Sequence, residues 1–230
     1  MQVAVIGHRC NSGRVTLFYK AVKVPIVEID VCSGASGELL VRHGPSEVRR
    51  ASVFGQIFSY IDYKLFYRDP ILKVRRVEEH LRSLSGFKGV LFDVKRDVNA
   101  LRLAEIIDNI GDFGIGSAYV STTYHPLIKL LRELTRGALL AATLNVMPVD
   151  PLLTISMSGA DAVSVNYTLV TPEFVETMHA AGVKVLAWTV NDCREALKLV
   201  RDGVDALITD RPDLIMRCLR REGVGVRDYV

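Results

Sequence analysis

Eight short runs of apolar, mostly β-branched residues recur along the 230-residue chain and alternate with segments of helical period. They are Val3–Ile6, Ile26–Val31, Gly89–Val94, Ala118–Ser121, Leu139–Leu144, Ala162–Asn166, Val183–Thr189 and Ala206–Thr209. Each is apolar almost throughout, the pattern of a strand covered on both faces in a parallel sheet. Helices are expected between them, among others at Asn99–Ile110, Pro126–Leu134, Pro172–Ala181 and Cys193–Arg201. Pro126 and Pro172 stand where a first helical turn accepts proline, and Gly182 and Gly203 stand just past helix ends. Eight such alternations point to a closed (β/α)8 TIM barrel rather than an open doubly wound sheet. No repeat and no linker-like stretch divides the chain, so a single domain over residues 1–230 is expected.

One stretch breaks the rhythm after the second run. Cys32-Ser33-Gly34-Ala35-Ser36-Gly37 reads as a turn, and Glu38-Leu39-Leu40-Val41-Arg42-His43 as the returning arm of a β-hairpin above the barrel mouth. An aromatic-rich segment, Phe54–Tyr67, follows, with Phe54, Ile57, Phe58, Ile61 and Leu65 at helical spacing. A short helix packed on the barrel wall is the simplest reading; a substrate lid, a transient membrane contact and a dimer contact stay open.

Composition narrows the function classes. With 49% hydrophobic and 24% charged residues the chain can build a sizeable core and is neither disordered nor collagen-like. A net charge of +3 is too small an excess to argue for nucleic acid, yet suits a phosphate-bearing small molecule. Cys10, Cys32, Cys193 and Cys218 form no C-x-x-C pair, no signal peptide is evident and no apolar run would span a bilayer, so a cytoplasmic protein with free thiols is expected.

In a β/α barrel the chemistry gathers where strands end. Here those ends carry His8-Arg9-Cys10, Glu28 and Asp30, Asp93 and Lys95, Ser121-Thr122-Thr123, Asn145, Asn166, Trp188-Thr189-Val190-Asn191 and Thr209-Asp210-Arg211. Residues two apart on a strand face the same way, so Glu28 pairs with Asp30 and Asp93 with Lys95. Three converging carboxylates repel unless a cation joins them, and oxygen-only donors suit Mg²⁺ or Ca²⁺ better than zinc. Salt bridges to Lys95 or Arg9 are the competing explanation. Of the five histidines, His8 and His43 belong to the mouth and form a candidate general acid and base pair. His80 and His179 read as solvated helix residues, His125 as a structural residue at a helix start. Cys10 reads as a small packing residue, and Lys198, Arg201 and Arg217–Arg221 as solvated helix faces.

In this order, His8-Arg9, Glu28-Ile29-Asp30, His43, Phe92-Asp93-Val94-Lys95, Ala187-Trp188-Thr189-Val190-Asn191 and Ile208-Thr209-Asp210-Arg211-Pro212 resemble the glycerophosphodiester phosphodiesterase family over nearly the whole chain. Arg49 and Asn11 also fall at the family's intervals. The resemblance implies a metal-dependent hydrolase that splits a glycerophosphodiester into glycerol phosphate and an alcohol, within glycerol and lipid metabolism. By position, Glu28, Asp30 and Asp93 would hold the divalent ion, and His8 and His43 would act as acid and base. Arg9 and Lys95 would bind the phosphoryl oxygens, and Trp188 would wall the glycerol side. Cys10 replaces a family glycine, Gly44 an aspartate, and Asp93 a glutamate. A non-catalytic barrel that binds phosphate esters, and a phosphodiesterase of the same superfamily acting on lysolipids or lipids, are the alternatives.

Overall fold

The computed structural model describes residues 1–34, 36–42 and 75–230. Its first strands are β1 (Gln2–Gly7), β2 (Ile26–Ser33), β3 (Leu39–Val41) and β4 (Arg75–Arg76). They are followed by β5 (Gly89–Val94), β6 (Ser117–Thr122), β7 (Ala138–Leu144) and β8 (Ala162–Asn166). The last are β9 (Lys184–Trp188), β10 (Ala206–Thr209) and β11 (Gly225–Arg227). Strands β1, β2 and β5 to β10 pair in parallel, each with the next, and β1 pairs with both β2 and β10, which closes the barrel. All eight coincide with the runs expected from sequence, with ends moved by one or two residues. The (β/α)8 TIM barrel is therefore the fold.

The helices are α1 (Gly13–Val22), α2 (Val77–Ser83), α3 (Ala100–Asp108) and α4 (Pro126–Leu134), then α5 (Pro151–Ser158), α6 (Pro172–Ala180), α7 (Cys193–Arg201) and α8 (Pro212–Arg221). Their starts follow from local chemistry. Asn99, Asp150, Thr171 and Asp192 each accept a backbone N–H of the first turn with the side chain, a cap worth about 1 kcal/mol. Proline occupies the first turn of α4, α5, α6 and α8, where its missing N–H costs nothing. On α8, Ile215, Met216, Cys218 and Leu219 turn inward while Arg217, Arg220 and Arg221 stay exposed, as the charge pattern led us to expect.

The hairpin is present. β3 runs antiparallel to β2, with Val41 opposite Val31 and Ser33 opposite Leu39, and β4 adds a third antiparallel strand. His43, Arg49 and the Phe54–Tyr67 segment lie outside the described residues. β11, which the sequence analysis did not anticipate, pairs with Gln2–Ala4 of β1, on the stretch of that strand that precedes its contact with β2 at Ile6. Val230 then enters the barrel's floor, where its N–H donates to the Tyr119 hydroxyl and its carbonyl accepts from Lys184 Nζ.

Two apolar layers result from the period-two geometry of strands. Val3, Val5, Val27, Ile29, Val90, Phe92 and their counterparts face the helices. Ala4, Ile6, Ile26, Leu91, Tyr119, Ala141, Ala162, Leu186, Ala206 and Ile208 fill the barrel. The free thiols expected at all four cysteines are corrected at two positions: Cys193 of α7 and Cys218 of α8 form a disulfide, their Cα atoms 6.0 Å apart. The helices pack side by side, so residues distant in sequence come within bonding range. Cys10 and Cys32 are buried and outside any disulfide.

Candidate active site at the barrel mouth

The parity that fills the barrel also builds the site. Continuing each inward-facing row toward the strand's C-terminal end replaces apolar side chains by polar ones: Ile6 leads to His8, Ile26 to Glu28 and Asp30, and Leu91 to Asp93 and Lys95. Tyr119 leads to Ser121, Ala141 to Thr143, Ala162 to Ser164, and Leu186 to Trp188. These residues line a cavity of about 280 Å³ at the mouth, together with Arg9, Thr123, Asn145 and Thr189. Among the described residues its charged members, Glu28, Asp30, Asp93, Lys95, His8 and Arg9, sit on β2 and β5 or directly after β1 and β5; the wall from β6 to β9 is neutral.

Register sets the carboxylates together. Asp30 is paired with Asp93 across β2 and β5, and oxygen atoms of Glu28, Asp30 and Asp93 lie within 4.8 Å of one another. Glu28 and Asp30 are almost wholly buried. Burial first, then the charges of Asp30 and Asp93, push the Glu28 carboxyl well above the usual carboxylate range. Lys95 supplies partial compensation: its Nζ is 3.0 Å from Asp30 Oδ1 and 2.5 Å from Asp93 Oδ2. Burial opposes its charge, but the two carboxylates outweigh that and hold the ammonium above its ordinary value. Among the described residues Lys95 bonds two of the three carboxylates and so answers only part of their charge. The three together form a group that could hold a metal ion.

The remaining contacts orient these groups. The Asn11 amide donates to Asp30 Oδ2 at 2.7 Å and its carbonyl accepts the Asp30 N–H at 3.0 Å. The Arg9 N–H donates to Glu28 Oε2 at 2.5 Å, with Arg9 itself in the left-handed region at φ 54°. Ser121 Oγ donates to Asp93 Oδ1 at 3.4 Å. His8 Nδ1 lies 2.7 Å from Asp210 Oδ1, and Asn191 Nδ2 donates to Asp210 Oδ2 at 2.8 Å. Burial alone would raise the Asp210 carboxyl, but its bonds from His8 and Asn191 win and lower it. An ionised carboxylate only accepts, so Nδ1 of His8 carries a proton, and in the neutral ring Nε2, 3.9 Å from Glu28 Oε2, is the basic nitrogen facing the carboxylates. Trp188 lines the cavity, and its indole Nε1, like the Thr143 hydroxyl, is buried without a hydrogen-bond partner among the described residues.

Seven of the residues singled out from sequence thus meet at one mouth: His8, Arg9, Glu28, Asp30, Asp93, Lys95 and Trp188. His43 lies outside the described residues. Sequence reasoning left Asp210, Asn191 and Asn11 without roles. His80 is a correction: instead of a solvated helix residue it is fully buried, its Nε2 2.6 Å from the Cys10 carbonyl. Its apparent exposure came from charged neighbours, whereas Val77, His80, Leu81 and Leu84 form a wholly buried stripe. His125 bonds the Thr143 carbonyl, a structural contact, and His179 is exposed and paired with Asp205. Cys10 is buried and its thiol pushed up to about 12, chiefly by that burial, which removes it from nucleophilic chemistry.

Comparison with known proteins agrees with this geometry. The model of the Glycerophosphoryl diester phosphodiesterase family matches residues 8–214. A glycerophosphodiester phosphodiesterase of Arabidopsis thaliana is 32% identical over 111 residues, 43% of this chain and 34% of that relative. One of Caldanaerobacter subterraneus subsp. tengcongensis is 35% identical over 57 residues, 25% of this chain and 24% of that protein. The aligned stretches thus span about a quarter to a third of these relatives' own lengths. A phosphodiesterase of Oleispira antarctica, solved in complex with the product sn-glycerol-3-phosphate, superposes with a TM-score of 0.75 at 18% identity. That match covers 94% of this chain and 96% of the other.

Proposed function

The chain belongs to the glycerophosphoryl diester phosphodiesterase family, and from that membership we propose that its mouth hydrolyses glycerophosphodiesters to glycerol phosphate and an alcohol. The observation that carries the proposal is the group of Glu28, Asp30 and Asp93, three carboxylates converging beside a histidine whose basic nitrogen faces them. Oxygen donors of this kind, with charge left over after Lys95, fit a hard divalent cation, Mg²⁺ or Ca²⁺. Such an ion, when bound, neutralises a phosphodiester's negative charge and polarises its phosphorus for attack.

The chain's own residues supply the rest. Lys95 and Arg9 hold phosphoryl oxygens by charge. His8, fixed by Asp210 with Nδ1 protonated, takes a proton at Nε2 from the water that attacks phosphorus as the bond to the leaving alcohol's oxygen breaks. His43, at the end of the hairpin arm in sequence, is assigned the complementary step, protonation of the leaving alkoxide. Trp188 packs against the glycerol side and offers its indole N–H, which has no partner among the described residues, to an oxygen of the substrate. The neutral wall from β6 to β9 leaves the alcohol in an uncharged setting.

The test is release of glycerol phosphate from glycerophosphocholine and glycerophosphoglycerol, with Mg²⁺, with Ca²⁺ and with EDTA. Cation-dependent release is expected. Binding of either diester without turnover would instead favour a non-catalytic phosphate-ester binder.

A further inference from the structure

The loop leaving β1 carries three site contacts in four residues: the His8 ring, the Arg9 N–H on Glu28, and the Asn11 amide on Asp30. Its backbone is not regular, because Arg9 at φ 54° adopts a left-handed conformation that L-residues disfavour. The loop is therefore held from outside. The His8 N–H donates to the Thr209 carbonyl and the Cys10 N–H to the Glu28 carbonyl, at 2.8 and 2.7 Å. The His8 carbonyl accepts from the Tyr19 hydroxyl at 2.7 Å, and Gly7 leaves room for that ring, since a Cβ there would lie 2.6 Å from it.

The last anchor comes from elsewhere in the chain. The Cys10 carbonyl, midway between the residues that touch Glu28 and Asp30, accepts from His80 Nε2 at 2.6 Å across 70 residues of sequence. A carbonyl only accepts, so His80 must carry its proton on Nε2. Ser83 Oγ lies 3.5 Å from Nδ1, and His80 is fully buried, like Val77 and Leu81 on the same helix. Burial favours the neutral ring, and the bond to Cys10 places that ring's one proton on Nε2.

We propose that His80 is a positioning residue of the site: by anchoring the Cys10 carbonyl it fixes the loop from which His8, Arg9 and Asn11 act. The Cys10 side chain takes no part in the anchor, which uses only its backbone. Loss of the His80 donor would leave a buried carbonyl unpaired and let the loop relax from its left-handed turn, displacing His8 and the ligand-orienting contacts together. Displacements of about 1 Å in such settings cost on the order of 100-fold in rate.

The inference rests on the hydrolase reading, and the experiment separates the two. In the full chain, kcat and KM for glycerophosphocholine with Mg²⁺ are measured in the parent, His80→Leu and His80→Gln. Leucine keeps bulk without a donor, and glutamine restores an N–H. We expect kcat to fall at least tenfold in His80→Leu with KM changed less than threefold, and to return within about threefold of the parent in His80→Gln. An active parent whose His80→Leu variant keeps its kcat, or whose His80→Gln is no better than His80→Leu, overturns the positioning role alone. A parent without hydrolysis defeats the hydrolase reading and this role together. Should His80→Leu fail to fold, ¹⁵N spectra of the parent's histidines decide: a neutral ring protonated at Nε2 supports the anchor, and protonation at Nδ1 alone overturns it.

Discussion

The two ends of the barrel are built from the same strands and treat charge in opposite ways. At the floor each carboxylate has a local answer. Asp161 accepts the Leu140 N–H and pairs with Arg132, while Asp205 accepts the Val185 N–H, pairs with His179 and has Arg227 at 3.7 Å. Val230 seals the interior below them. At the mouth, among the described residues, three carboxylates crowd together, Lys95 bonds two of them, and two of the three are almost wholly buried. Partnered charge closes a barrel; crowded, under-compensated charge is what a cation and an anionic substrate would resolve.

The sharpest break of this comparison is His8→Ala. Loss of a general base costs about 10²–10⁴-fold, so kcat for a glycerophosphodiester should fall by roughly 10³ while Asp161→Ala at the floor leaves kcat unchanged. Steady-state assays on the two variants decide it, and equal losses would erase the distinction between the ends.

Next in size is the disulfide. Its cysteines are 25 residues apart, so in the chain-entropy account Cys218→Ser should cost about 3 kcal/mol and lower the melting temperature by roughly 6–12 °C. Alkylation of the denatured chain should label two cysteines before reduction and four after it. Four labelled without reductant would remove the staple.

The acidic cluster sets a pH dependence of its own in EDTA. With its folded value raised, Glu28 binds a proton in the folded state at pH values where the unfolded chain has lost it. Stability of the cation-free protein therefore falls as pH rises from the ordinary carboxylate range through that raised value. Urea titrations across pH should follow this slope in the parent and lose most of it in Glu28→Gln, which should be inactive yet the more stable of the two in EDTA. A parent that gains stability over the same range would contradict the crowding. The smallest effect is expected for Trp188→Phe, which keeps the ring but removes the indole N–H. One hydrogen bond of about 1 kcal/mol predicts a roughly fivefold loss in kcat/KM.

Much of this was legible in the sequence because strand parity and apolar runs are local signals. The eight barrel strands follow from apolar runs, the hairpin arm Leu39–Val41 from the turn that precedes it, and the facing of Glu28 with Asp30 and of Asp93 with Lys95 from residues two apart. The same rule, extended through Ala206 and Ile208, reaches Asp210, the partner of His8. Helical spacing from Val77 likewise reaches His80, against the charged look of Glu78, Glu79 and Arg82. Those two were readable but outweighed by their neighbours. The Cys193–Cys218 bond, the pairing of β11 with β1 and the entry of Val230 into the floor carry no such local mark, because each depends on how distant elements pack.

The function proposed for the mouth requires that it take a divalent cation. Titration calorimetry of the purified chain with Mg²⁺ and with Ca²⁺, repeated on Glu28→Gln and on Asp161→Ala, measures it without reference to any substrate. Saturable one-site binding in the parent and in Asp161→Ala, lost or much weakened in Glu28→Gln, is the predicted result. No binding of either ion by the parent, or equal binding by Glu28→Gln, would contradict it.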